Sequence, residues 1–149
     1  MIISLGCDKA GTPFVERFCK ELTDRGIEYK VLFDGKEDGC DYTDAAFAVA
    51  KSVAGKESDL GILICGTGIG MSIAANKIKG IRAAVCSDTF SAKMTRVHND
   101  ANIMCVGARV IGEELAVDIL HAFLDGEFEK GGRHERRVCK IIDAENGKF

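Results

Sequence analysis

The segment Cys65-Gly66-Thr67-Gly68-Ile69-Gly70-Met71-Ser72 sets a thiol directly ahead of three glycines at alternate positions. An apolar run precedes it, and small residues (Ser72, Ala74, Ala75) follow it. Glycines let backbone N–H groups turn toward an anion, and the start of a helix adds a favourable dipole. Cys65 is therefore a candidate proton carrier or nucleophile. The structural alternative is a buried cysteine beside a tight turn. Two familiar phosphate loops are excluded. The glycine spacing is not the dinucleotide fingerprint, and it follows the third apolar run instead of the first. Gly6-Cys7-Asp8-Lys9-Ala10-Gly11-Thr12 starts like a P-loop but has Thr12-Pro13 where Lys-Ser/Thr is needed. Asp34 reads as a loop carboxylate.

Two further clusters carry suitable groups. His98-Asn99-Asp100-Ala101-Asn102 closes a helical pattern and leads into an apolar run. His98 there either stabilises the last helix carbonyls or acts as an acid/base group, with Asn99 as a hydroxyl or oxyanion contact. In Gly131-Gly132-Arg133-His134-Glu135-Arg136-Arg137, a helix starting near Gly132 places Arg133 and Arg137 at i and i+4. Two guanidinium forks on one face suit a phosphate dianion, although a solvated basic face has the same pattern. His121 and His134 are read as structural.

These residues need elements to hold them. Short runs rich in Ile, Val and Leu occur at residues 2–7, 28–33, 60–65, 82–86 and 102–106. Their composition predicts strands buried on both faces. Helical patterns fill the gaps. Thr12-Pro13 offers a cap and a first-turn proline before Phe14, Val15, Phe18, Cys19 and Leu22. Ala46, Val49, Ala50 and Val53 form a second apolar face, and a third helix is expected to begin between Gly66 and Ser72. A fourth covers 88–98, Leu115, Ala116, Ile119, Leu120 and Phe123 mark a fifth, and a polar helix covers 133–144. The alternation predicts an α/β fold: a doubly wound, mainly parallel five-stranded sheet, Rossmann-like, with a C-terminal helix. Ligands of such sheets bind beyond the carboxyl ends of the strands.

A length of 149 residues fits one domain spanning 1–149. With 46% hydrophobic and 29% charged residues and a net charge of -3, the chain is read as globular, with neither nucleic acid nor membrane as partner. No apolar stretch is long enough to span a bilayer, and no export signal is read at the start. The seven cysteines form no CxxC pair, which argues against zinc and disulfides and for a reducing, cytoplasmic setting.

Taken together, the motifs resemble the ribose-5-phosphate isomerase type B family, which includes the galactose-6-phosphate isomerase subunits. The resemblance runs through Gly61–Gly70, Ala74-Ala75-Asn76-Lys77, Gly80-Ile81-Arg82-Ala83-Ala84, His98–Asn102, Gly107-Ala108-Arg109-Val110 and Gly131–His134. It implies a subunit that pairs into homodimers, or dimers of dimers, with active sites shared between subunits. It also implies isomerisation of a phosphorylated small sugar through an enediolate, without metal or organic cofactor. By that similarity Cys65 moves the proton between C1 and C2, and His98 with Thr67 opens the sugar ring. Backbone amides from Gly66 through Gly68 and Ile69 to Gly70 hold the enediolate oxygen. Asp8, Tyr42 and Asn99 contact hydroxyls, while Arg133, Arg137 and Arg109 hold the phosphate.

The chain departs from the family pattern at two places. Asp8-Lys9-Ala10-Gly11 stands where the family commonly has a histidine after the aspartate, so Lys9 is expected to meet the phosphate instead. Phe33-Asp34-Gly35-Lys36-Glu37-Asp38-Gly39 replaces the usual Phe-Gly-Thr loop, and Thr43 follows Tyr42. Both changes fall where substrate length would be sensed, which keeps four- and six-carbon sugar phosphates beside ribose 5-phosphate. The competing class is a non-catalytic sugar-phosphate sensor on the same sheet, which has no use for a thiol beside the anion loop. A flavodoxin-like signalling domain would need an acidic cluster after the first strand, and Asp8 alone does not supply one.

Overall fold

The computed structural model describes residues 1–36 and 41–148. Five parallel strands form one sheet in the order β2-β1-β3-β5-β4. They are β1 (Ile2–Cys7), β2 (Glu28–Asp34), β3 (Leu60–Cys65), β4 (Ala83–Val85) and β5 (Ile103–Gly107). The helices are α1 (Thr12–Asp24), α2 (Tyr42–Ala54), α3 (Ile69–Ala75), α4 (Thr89–Asn99), α5 (Glu113–Leu124) and α6 (Arg133–Glu145). This is the doubly wound arrangement that the strand–helix alternation predicts. The order reverses between β1 and β3, so a crevice opens at their carboxyl ends.

Successive side chains of a strand face opposite ways, and the core divides accordingly. Ile62 and Ile64 of β3 pack with Phe14, Phe18 and Leu22 of α1 and Ile119 and Phe123 of α5. Leu63 and Cys65 point to the other layer, among Val49 and Val53 of α2 and Met71 of α3. The helix α6 packs on α4 and buries only His134 and Val138.

Several local expectations change. The central strands are buried almost throughout, but β2 and β4 are edges, with Val31, Leu32 and Val85 exposed. Gly11, not Thr12, caps α1, while the Thr12 hydroxyl donates to the Asp34 carbonyl at 3.0 Å. Leu115 is exposed on α5, and Val117 is buried in its stead. The substituted loop residues Glu37, Asp38 and Gly39, together with Cys40, lie outside the described residues.

Candidate active site

Cys65 ends β3, and its backbone carbonyl accepts the Ala108 N–H at 2.8 Å. The chain then turns through Gly68, at φ +76°, where a Cβ would come within 3.0 Å of the Val106 backbone. Glycine meets both requirements, left-handed conformation and close approach. The turn brings the Gly68 N–H to the Cys65 sulfur at 3.1 Å, and the Ile69 N–H to the Thr67 hydroxyl at 3.3 Å. Two of the loop amides expected to face an oxyanion therefore serve side chains. Gly66, Thr67, Ile69 and Gly70 line a cleft of about 410 Å³ with Cys65, Asp8, Ala10, Tyr42 and Arg109. That volume falls in the range of roughly 300–1,000 Å³ common for small-ligand sites.

The walls of this cleft come from three crossovers. Asp8 follows β1 and accepts the Ala10 and Gly11 N–H groups at 2.9 and 3.3 Å, which fixes its carboxylate. Tyr42 opens α2, and its ring lies so close to Gly70 that a Cβ there would stand 2.7 Å from it. Arg109 follows β5, donates its backbone N–H to Gly66 at 3.0 Å, and lays its side chain beside that glycine. Lys9 is exposed at the rim and does not line the cleft, unlike its neighbours Asp8 and Ala10. Three other thiols lie in or just beyond the strands: Cys7 ends β1, Cys86 follows β4 and Cys105 sits in the middle of β5. Burial pushes Cys7 up to about 11 and Cys86 up to about 12, and it raises Cys105 well above the usual thiol value.

The other predicted residues assemble elsewhere. His98 and Asn99 close α4, and Asp100 caps it in the left-handed region at φ 47°. Arg82 clamps this turn, donating from Nε to the Asp100 carbonyl at 2.8 Å and from Nη2 to its carboxylate at 2.8 Å. Arg96 holds the same carboxylate at 3.4 Å. The His98 ring lies on that of His134, with centroids 4.0 Å apart and planes 5° from parallel. His134 was expected to be structural. It is buried and stacks on the acid/base candidate, and its only signal in the sequence is its place beside Arg133. Arg133 and Arg137 are both exposed at the start of α6, one turn apart, as the spacing predicts. His121, read as structural, is bonded to Glu21 at 3.1 Å.

His98, His134 and Glu129 offer ligand atoms within 4.8 Å of one another. A metal must lie in the plane of each imidazole that binds it. Parallel rings stacked 4.0 Å apart cannot share such a point. Burial, then the charges of His98 and Arg133, push the His134 imidazole below its ordinary value, against the opposing pull of Glu129.

Within one chain these clusters stand apart. Cys65 pairs with Gly107 at the carboxyl end of β5, whereas His98 and Asn99 precede its first residue, Ile103. The strand between them spans roughly 13 Å at ~3.3 Å per residue. Asn99 opens onto a second cavity, of about 620 Å³, shared with Asn76, Arg82, Ile141 and Glu145.

The model of the family described as Ribose/Galactose Isomerase matches residues 3–141. The chain belongs to this ribose/galactose isomerase family. It is 48% identical over 143 residues to ribose-5-phosphate isomerase B of Escherichia coli, covering 96% of this chain and 95% of that one. The solved structure of ribose-5-phosphate isomerase B from Clostridium thermocellum superposes with a TM-score of 0.91 at 45% identity, covering 99% of each chain. That of the Mycoplasma genitalium enzyme with bound ribulose 5-phosphate gives 0.91 at 36% identity, over 97% of this chain and 96% of that one. The family resemblance read from the sequence is thus borne out, and so is the fold.

Proposed function

We propose that this chain is an aldose–ketose isomerase of sugar phosphates, with ribose 5-phosphate and ribulose 5-phosphate as the leading pair. The observation that carries the reading is Cys65, its sulfur held by the Gly68 N–H in the wall of the cleft. The similarity to enzymes named ribose-5-phosphate isomerase B supports it. In the aldose, the Cys65 thiolate takes the proton from C2. The C–H electron pair forms the C1–C2 double bond, and the carbonyl electrons move onto O1. The enediolate then passes its O2 proton to O1 and regains a proton at C1 from the Cys65 thiol. The ketone thus forms at C2, the hydroxyl forms at C1 and the thiolate is restored. Gly66 and Gly70, with Asp8 and Tyr42, line the space for the reacting oxygens and hydroxyls. Before this, His98 with Thr67 opens the furanose by moving the hydroxyl proton of C1 to the ring oxygen. Asn99 contacts hydroxyls, and Arg133, Arg137 and Arg109, with Lys9 at the rim, grip the phosphate. Such division asks for one mobile proton, an oxyanion site and a remote anchor.

Because the two clusters occupy opposite sheet ends, we read the working unit as a homodimer, or a dimer of dimers, in which a second copy completes each site. Exposed apolar residues flank both clusters, Ile69 and Ile73 near the thiol and Ile141 near Asn99, which suits an isologous contact. The six described cysteines are free, which agrees with a cytoplasmic setting. Among the described residues no helix is long and apolar enough to cross a membrane. A six-carbon substrate is the runner-up, since the family's description covers galactose as well as ribose and Lys9 alters the phosphate end.

Cys65→Ala tests the assignment. Turnover of ribose 5-phosphate, assayed in EDTA, is expected to fall by about 10²–10⁴-fold, as for loss of a proton-transfer group. Binding of a substrate analogue is expected to persist. Native-like turnover in the variant rejects Cys65 as the proton carrier, and an inactive native protein favours the sensor.

A further inference from the structure

His134 is buried, yet it makes three polar or ring contacts that a merely space-filling residue would not need. Its ring stacks on His98 at 4.0 Å, almost parallel. Its Nε2 accepts a hydrogen bond from Arg133 Nε at 3.3 Å. The Glu129 carboxylate stands 3.7 Å from the same nitrogen. An imidazole nitrogen that accepts a bond carries its lone pair, so a neutral His134 holds its proton on Nδ1. The groups facing it are His98 on α4, Glu129 ahead of α6, and Arg133 and Arg137 on α6.

Each contact has a consequence. A flat neighbour at stacking distance fixes the plane of His98, and it penalises double protonation of the pair. The acceptor at Nε2 engages Arg133 through Nε, which leaves the two terminal nitrogens of the guanidinium free for an anion. Movement of Arg133 toward a phosphate therefore moves His134, and through the stack His98.

We propose that His134 is a positioning residue that couples the phosphate grip of Arg133 to the orientation of the acid/base ring of His98. This rests on the functional reading above, which gives His98 and Arg133 their roles. The coupling would let a correctly anchored phosphate set the ring that opens the sugar.

A first test requires no turnover. The protein has three histidines, so their ring resonances can be followed during titration with inorganic phosphate. His98 and His134 are expected to shift along one isotherm, while His121 stays still. The shifts are expected to vanish in Arg133→Ala. A His134 ring that ignores phosphate, or a His98 ring that moves independently of it, overturns the proposal. The second test divides the two contacts. His134→Phe keeps a flat ring but loses the acceptor, so KM for the sugar phosphate is expected to rise about tenfold with kcat within about threefold of native. His134→Gln keeps an acceptor but loses the ring, so kcat on the cyclic aldose is expected to fall about tenfold with KM little changed. Equal effects of the two substitutions on both constants reduce His134 to a scaffold residue. Native-like turnover in Cys65→Ala removes only the role of Cys65, and an inactive native protein removes the isomerase reading; the phosphate titration decides the coupling in either case.

Discussion

At the scale of single residues, Lys9 separates this chain from the sequence pattern of its family. The turn beneath it is fixed by the Asp8 carboxylate, which accepts the Ala10 and Gly11 N–H groups. The backbone of Lys9 is thus held at the cleft rim while its ammonium rides on a flexible stem. A point charge so mounted can reach phosphates at more than one distance, whereas imidazole is shorter and stiffer. Lys9→Ala is expected to raise KM for phosphorylated substrate by about three- to tenfold and leave the unphosphorylated sugar unaffected. Lys9→His is expected to shift preference among four-, five- and six-carbon sugar phosphates, read from a substrate panel. An unchanged KM in Lys9→Ala places the lysine outside the phosphate site and strengthens ribose 5-phosphate as substrate.

At the scale of elements, the site depends on how closely α2 and α3 approach. The first residue of α2, Tyr42, lies against Gly70 near the start of α3. Gly70→Ala would push a methyl to within 2.7 Å of that ring. Tyr42 is 42% exposed, so it can swing outward without disturbing the core. Thermal stability is expected to change little, while kcat/KM drops about tenfold through loss of a hydroxyl contact. A variant with native kinetics would show that Tyr42 does not touch substrate. Elements of this kind were largely legible in advance. The runs at β1, β3 and β5 are apolar because helices cover both faces, so composition alone marks them. Edge strand β4 is as apolar as the central ones, so nothing local says that one flank is unpaired. Glu28 and Lys30 in β2, by contrast, are charges of the kind edge strands carry. The thiol loop was legible because a strand end, alternate glycines and small residues coincide within eight positions. The pairing of His98 with His134 was not, since it depends on α6 settling on α4, and α6 buries only two side chains.

At the scale of the whole molecule, the thiol and the imidazole belong to opposite ends of the same pair of strands. If a second copy supplies the missing half, each site in a dimer draws Cys65 from one protomer and His98 from the other. Cys65→Ala and His98→Asn are each expected to be inactive on the cyclic aldose. Mixed in equal amounts and allowed to exchange subunits, they form hybrid dimers in which one site has lost both groups and the other has both. With random exchange half the dimers are hybrids, so activity is expected to recover to about a quarter of native. No recovery, with subunit exchange verified by mass, would mean that each site is built within one chain.

The split between sheet ends also bears on how such a chain can diverge after gene duplication. Two copies of the gene, co-assembling, expose the thiol end and the imidazole end to separate selection. One copy can lose Cys65 while keeping His98 and Arg133, provided its sister keeps the thiol. The hybrid retains a working site, and the vacated cleft is released to drift. A monomeric enzyme with both groups in one pocket has no such freedom, because any loss there ends the chemistry of that gene. If a second copy completes each site, the separation of Cys65 from His98 along β5 makes division into unlike subunits a short evolutionary step.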